Sequence, residues 1–245
     1  MSYECLSSWY DALMNDVDYD SIAKRTDALL QKEKPGCKLI VDLACGTGTL
    51  SVLLSKMGYD VIGIDRSPEM LSEAMGKPLP EGAQSILWLC QSMDEIDLYG
   101  TVDAFVCTLD SVNHITDAKE LERAFSKISL FLEPDGVFIF DANTEYKHQT
   151  VLGSNTFVYE TDDVYCVWQN ETEKNTTAIT LDFFEEEDGV YYRSSESFSE
   201  RAYSDKELSD MLGRCSMKIV GCFDGYTENA PTETTERKLF IAKKK

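Results

Sequence analysis

Between Lys38 and Met57 the chain reads Lys38-Leu39-Ile40-Val41-Asp42-Leu43, then Ala44-Cys45-Gly46-Thr47-Gly48, then a stretch in which Leu50, Leu53, Leu54 and Met57 share one helical face. A short apolar run that passes through a two-glycine turn into an amphipathic helix is a strand–turn–helix unit. Such a unit restricts the fold severely, because the next strand must return parallel to the first by a right-handed crossover. The pattern repeats downstream. Strands are predicted at 60–65, 86–90, 102–107 and 137–141. Helices are predicted at 20–33, ended by Pro35-Gly36, after Ser67-Pro68, and at about 117–132, stopping near Pro134-Asp135-Gly136.

After residue 144 the pattern changes. TFVYE, VYCVWQNE, TAITLDFFEE and VYYRSSESF alternate apolar with polar residues and are separated by turns such as Asp188-Gly189, which is the signature of antiparallel strands. A helix at 205–213, with Ser204 as N-cap, and strands at about 217–224 and 236–243 follow. The expected fold class is α/β: a Rossmann-like, seven-stranded, mostly parallel sheet with helices on both faces, plus a small antiparallel β insertion. Residues 1–145 and 203–245 are expected to form one domain, with 146–202 as the insertion roofing a substrate pocket.

Composition narrows the function. The net charge of -21, from 44 acidic and 23 basic residues, repels polyanions, so nucleic acid is not an expected partner. The same field would serve solubility or draw in a basic small molecule. None of the eight cysteines forms a C-x-x-C pair or other zinc spacing, and no metal site is expected. Cys90 and Cys107 lie in apolar runs, as buried thiols do. No secretory leader is visible, and no apolar run approaches the ~18–20 residues of a membrane span. A cytoplasmic protein, monomeric or homodimeric, is expected.

The chemistry concentrates at two places. Glycines at 46 and 48 let the backbone approach a ligand at the carboxyl edge of a sheet. The third glycine of a dinucleotide fingerprint would fall at position 51, which is Ser51, and this weakens an NAD-dependent oxidoreductase reading. Asp65 closes the next strand, where an acid suits the two hydroxyls of a ribose. Alone, the turn is a tight turn and Asp65 a helix cap. In this strand order, together, they point to a nucleoside site.

These residues resemble the class I S-adenosylmethionine-dependent methyltransferases, whose first motif looks like Val41-Asp42-Leu43-Ala44-Cys45-Gly46-Thr47-Gly48 and whose second-strand acid is matched by Asp65. The likeness extends through Val102-Asp103, Cys107–Asn113 and Leu132–Phe140. Tyr10-Asp11-Ala12-Leu13-Met14, Asp16–Tyr19 and Glu200-Arg201-Ala202-Tyr203 look like the YqeM-type bacterial methyltransferases, which are similar to glycine and sugar N-methyltransferases. The resemblance implies S-adenosylmethionine as cofactor, S-adenosylhomocysteine as product and a small-molecule acceptor, an amine or a hydroxyl. It implies that Asp42, Ala44 and Gly46 line the methionine moiety, that Gly48 also belongs to the cofactor-binding set, that Asp65 holds the ribose with Arg66 beside it, and that Gln91, Ser92 and Met93 flank adenine. Many relatives carry an aspartate where this chain has Ser92, whose oxygen can also accept. Thr108 and Asp110 would lie near the transferring methyl, and Tyr10 and Tyr19 would close a lid.

A sulfonium methyl is already activated, so aligning the acceptor is the main task and a dedicated base is optional. His114 is the candidate base, with a packing or surface role as its alternative. Some relatives place a histidine just before the Glu-Arg-x-Tyr segment, where this chain has Phe198-Ser199. In the insertion, Trp168 and Arg193 are candidate acceptor contacts. A non-enzymatic sensor or scaffold that keeps the cofactor site is the alternative to an enzyme.

Overall fold

The computed structural model describes residues 4–161 and 164–245. Helices α1 (Glu4–Leu13) and α2 (Tyr19–Glu33) precede β1 (Leu39–Leu43), α3 (Thr49–Lys56), β2 (Asp60–Asp65), α4 (Pro68–Gly76), β3 (Leu87–Cys90), β4 (Val102–Cys107), α5 (Ala118–Phe131) and β5 (Leu132–Asn143). Four further strands follow: β6 (Thr156–Glu160), β7 (Val164–Glu173), β8 (Thr176–Glu187) and β9 (Val190–Arg201). The chain returns through α6 (Asp205–Arg214), β10 (Met217–Asp224) and β11 (Arg237–Lys244).

The helices start where side chains satisfy free backbone N–H groups. Asp18 accepts from Ser21, Ser67 from Met70 with Pro68 at the first helical position, and Asp117 from Lys119 and Glu120. Ser204 and Glu207 form a reciprocal capping box at α6.

Seven strands form one sheet in the order β10-β11-β5-β4-β1-β2-β3. The pairings from β3 through β5 are parallel, while β11 runs antiparallel between β5 and β10. Both faces are covered. Phe105, Phe125, Phe138 and Phe140 are fully buried on one side, with Phe138 and Phe140 stacked at 4.7 Å between ring centroids. Leu29, Leu30, Ile40, Leu54 and Ile139 pack on the other. This is the Rossmann-like arrangement that the strand–helix alternation predicts.

β6, β7, β8 and β9 form a separate antiparallel meander. Its inner face packs Cys166, Ile179, Leu181 and Phe183 against Met70 of α4 and against Trp9, Tyr10 and Leu13 of α1. The first helix thus lies between α4 and the meander. Three details differ from the sequence reading: β5 begins at Leu132 and runs to Asn143, and short helical turns occupy Ser111–His114 and Lys147–Leu152. A single turn is too brief to show a helical period in sequence. Among the described residues no helix is long and apolar enough to cross a membrane, and seven cysteines are free thiols.

Candidate functional site

β1 has β2 on one side and β4 on the other, so the direction in which the sheet grows reverses there. In open α/β sheets a crevice forms at that reversal, beyond the carboxyl ends of the strands. Here it is a solvent-connected cleft with an enclosed volume of about 130 Å³. The turn after β1 is left-handed at Ala44 (φ 56°), Gly46 (φ 53°) and Gly48 (φ 75°). That winding points the Gly46 N–H at Asp65, whose Oδ2 accepts it at 2.9 Å, while Oδ1 accepts the Ser67 N–H at 2.9 Å. Asp65 is nearly buried. Burial raises its pKa, against the pull of those N–H donors and of Arg66.

Ala44, Gly46, Asp65 and Arg66 line this cleft. Gln91, Ser92 and Met93, from the end of β3, line it further along, and Tyr10 and His114 also reach it. Nine residues singled out in the sequence therefore share one wall system. The apolar parts of the wall are Leu43, Ile64, Met70, Leu109 and Ile115, with Ser111 and Glu120 as further polar groups. Of these, Leu43 lies in the first motif and Leu109 and Ser111 in the Cys107–Asn113 segment, while Met70, Ile115 and Glu120 are brought to the wall by the topology alone.

Five of the residues assigned to the cofactor or the transferring methyl lie off that wall. Asp42 is buried beneath the turn and accepts from the Ser51 hydroxyl at 2.5 Å, which gives the residue at the missing third glycine a positive task. Burial pushes Asp42 up to about 7, the Ser51 hydrogen bond opposing and Asp65 adding to the rise. At Gly48 a Cβ would come within 2.5 Å of the Trp88 ring, and at Gly63 within 2.3 Å. These two glycines make room for an indole. Tyr19 shares a hydrogen bond between hydroxyls with Tyr10 behind the wall. Burial raises both phenols, Tyr19 to about 12. Thr108 is buried and its carbonyl accepts from Ser111 at 2.7 Å.

Asp110, the fifth, belongs to a charged cluster next to the cleft. Leu109 and Asp110 both sit at φ 56°, an uncommon conformation for non-glycine residues that needs external support. Asp141, at the end of β5, supplies it by accepting the Leu109 N–H at 2.9 Å and the Asp110 N–H at 2.5 Å. Asp141 is fully buried and is met by Arg237 at 3.2 Å and by the Tyr226 hydroxyl. Arg237 also holds Asp110 at 2.7 Å, and Asn143 donates to the other Asp110 oxygen at 2.6 Å. Burial works against the Asp110 charge, but Arg237, Lys147 and His114 prevail and hold the group at about 2. Asp141 escapes sequence reasoning because its importance depends on Arg237, 96 residues away.

α1 is fastened over the turn. Lys77 reaches Asp11 at 2.6 Å, Thr47 at 3.0 Å and Thr49 at 2.6 Å, and Thr47 itself donates to Asp11 at 2.6 Å. On its other side Trp9 donates to Glu185 of β8 at 2.9 Å. In the meander, Trp168 donates to Asn170 at 2.7 Å and Arg193 is held by Asp182 at 2.8 Å. Neither lines the cleft.

A methyltransferase domain family, Methyltransf_25, matches residues 40–136, from β1 to the start of β5. The putative methyltransferase YqeM of Bacillus subtilis is 33% identical over 100% of this chain and 98% of that protein. A crystal structure of an S-adenosylmethionine-dependent methyltransferase from Clostridium acetobutylicum superposes with a TM-score of 0.88 at 31% identity, covering 96% of both chains. The glycine/sarcosine N-methyltransferase of Halorhodospira halochloris is 31% identical over 56% of this chain and 53% of that protein. Matched over its whole length by YqeM and over nearly all of it by the Clostridium structure, the chain belongs to the S-adenosylmethionine-dependent methyltransferases, alongside YqeM.

Proposed function

We propose that the chain moves the cofactor's methyl group to the nitrogen of a small amine, with hydroxyl acceptors as the next class. The observation that carries this reading is the Gly46–Asp65 hydrogen bond at the sheet's reversal point, which presents a bare backbone and a carboxylate to one cleft. The fit can be judged from the protein alone. Gly46 lines the cleft, and a Cβ built on it meets nothing within 4 Å, so the turn leaves open space for a ligand. Both Asp65 oxygens keep lone pairs beyond the N–H groups they accept, as a ribose diol requires. The bound cofactor supplies a methyl group already activated on a sulfonium.

The protein's own share is placement. Asp65 holds the ribose with Arg66 beside it, Ala44 and Gly46 offer backbone to the methionine part, and Gln91, Ser92 and Met93 embrace the adenine. Asp42 acts from beneath the turn, Gly48 through its winding, and Tyr19 through Tyr10, the lid residue. His114, Asp110 and Thr108 form the acceptor end. The wall that excludes water there is Tyr10, Leu109 and Ile115, and dry surroundings strengthen each polar contact. The meander over 146–202 roofs this end. The similarity to a glycine/sarcosine N-methyltransferase supports nitrogen as the accepting atom, and the chain's net charge of -21 favours a basic acceptor.

The test is a screen of amines, amino sugars and phenols for release of S-adenosylhomocysteine, run beside calorimetric binding of the cofactor. Turnover on an amine supports the reading. Turnover on phenols alone moves the acceptor class to hydroxyls. Micromolar binding with no release across the panel favours the sensor.

A further inference from the structure

Glu200, near the end of β9, is buried to 4% exposure, and no hydrogen bond satisfies its Oε2. It lies between two histidines. Its Oε1 is 3.6 Å from Nε2 of His114, and its Oε2 is 3.7 Å from Nε2 of His148. His148 is fully buried, its Nδ1 is bound to the Thr177 hydroxyl at 2.8 Å, and its Nε2 has no hydrogen-bond partner. His114, in contrast, lines the cofactor cleft and stacks on Phe198 at 5.1 Å. A carboxylate with an unmatched buried oxygen is costly unless it can hold a proton. Between the cleft and this carboxylate stands the His114 imidazole, which faces its Oε1.

We propose that Glu200 is the proton store of the acceptor site, taking through His114 the proton that the acceptor amine must lose, with His148 as a neutral wall behind it. The inference rests on the reading of His114 as part of the acceptor end. As the acceptor nitrogen bonds to the methyl carbon, sulfur keeps the electron pair of the bond that breaks, and nitrogen is left with one proton in excess. His114 takes that proton at one ring nitrogen and releases the proton of its other nitrogen, Nε2, to Glu200 Oε1. The carboxylate becomes a carboxylic acid, and its proton returns to solvent between turnovers. Glu200 touches no substrate and acts only through His114.

The surrounding charges suit a proton better than a metal ion. Asp110, His114 and Glu200 could together offer three ligand atoms within 4.8 Å. Both Asp110 oxygens, however, are already engaged by Arg237 and Asn143, and Lys147 anchors to Asn143 at 3.0 Å. Arg237 and Lys147 bring two positive charges to the cluster, which repel a divalent cation. The groups facing Glu200 are Asp110 and His114 from the turn after β4, Asn143 from β5, Lys147 and His148 from the turn after β5, and Arg237 from β11. Burial, then Asp110, raises Glu200 to about 8, with Lys147, Arg237 and Asn143 opposing. Burial lowers both histidines, and they stay neutral at the pH where Glu200 titrates. The carboxylate is the working form, so the rate rises with pH.

Two measurements test this on the full chain saturated with S-adenosylhomocysteine or S-adenosylmethionine. The first is an infrared titration. The wild type should show a protonated carboxyl band that disappears as pH passes about 8 and is missing from the E200Q spectrum. No such difference overturns the proposal. The second is the pH dependence of kcat with glycine, sarcosine and a methyl aminopentoside as acceptors. E200Q should lower kcat by about 100-fold or more and remove its rise with pH, with S-adenosylhomocysteine affinity within about twofold of wild type. An E200Q protein with the wild-type profile overturns it, as does Mn²⁺ binding at the cluster seen by electron paramagnetic resonance. If E200Q does not fold, E200D replaces it, and an unchanged pH midpoint counts against the proposal. If the wild type methylates none of the three amines yet binds the cofactor, the methyl-acceptor reading has failed, and the infrared titration alone decides the proton store.

Discussion

The side chain of Asp65 accepts the backbone N–H of Gly46 at 2.9 Å, so the acid that ends β2 and the turn that follows β1 form one unit. The carboxylate is therefore pre-set before any ligand arrives. Asp65→Ala removes the proposed ribose acceptor and releases the turn together. Two charge-assisted hydrogen bonds of this kind correspond to about 3–6 kcal/mol, so calorimetry should find S-adenosylhomocysteine binding weakened at least about 100-fold. Wild-type affinity in that variant would remove the nucleoside assignment.

The glycines separate into two kinds. Gly46 at φ 53° opens onto the cleft with nothing near its missing Cβ, so Gly46→Ala should cost about 1–2 kcal/mol of stability from backbone strain and lose cofactor affinity as well. Gly63 is blocked instead by Trp88. Gly63→Ala should destabilise by about 1–3 kcal/mol through overpacking, and Trp88→Leu in the same chain should recover part of it. Denaturant melts of the three variants check this contrast.

Asp42 titrates at about 7 in the folded chain, chiefly because it is buried, against an ordinary value of 3.8. Between those values the folded state keeps a proton that the unfolded chain has released, so this group's contribution falls as pH rises from about 4 to about 7 and is level above. Asp42→Asn removes that slope while leaving an oxygen for Ser51. The variant should gain on the order of 1–3 kcal/mol over wild type at pH 8 relative to pH 5, read from urea unfolding at the two values. No relative gain would show that Asp42 ionises normally.

His148 behaves in the opposite sense. Burial lowers it to about 4 from 6.5, so below pH 6.5 the unfolded chain takes up a proton that the folded chain refuses until about pH 4. Stability is lost across that window on the order of 3 kcal/mol. His148→Gln should flatten the acid limb when the two proteins are compared by unfolding at pH 7.5 and pH 5.

The latch on α1 makes a kinetic prediction. Asp11→Ala removes the Lys77 and Thr47 contacts at 2.6 Å each. The dissociation rate of S-adenosylhomocysteine in stopped flow should rise several-fold, with little change in the unfolding midpoint, because Asp11 is exposed and such pairs contribute about 0–1 kcal/mol. An unchanged rate would mean that α1 does not guard the cofactor.

What could be read in the sequence was local. The strand, the glycine turn and the acid at Asp65 lie within 28 consecutive residues, 38–65, and their spacing carries their meaning. Ser51 was readable as a departure from a dinucleotide pattern, but its hydrogen bond to Asp42 was not. The strands of the meander announced themselves by alternation. Asp141 and Glu200 did not announce a task, because an acid inside a strand gains one only from its distant neighbours: Arg237 for the first, His114 and His148 for the second. Trp88 likewise explains Gly48 and Gly63 only once β2 and β3 lie side by side.

β11 follows β10 along the chain, yet it occupies an inner lane of the seven-stranded sheet, between β5 and β10. Without residues 237–244, β5 would have an open edge from Val137 to Asn143, and Asp141 would lack its guanidinium. An open apolar edge is a template for wrong pairing. A chain truncated before Arg237 keeps Asp141 to accept the Leu109 and Asp110 N–H groups, but it lacks the guanidinium that pairs both carboxylates, so two acids at the end of the sheet are left without their counter-charge.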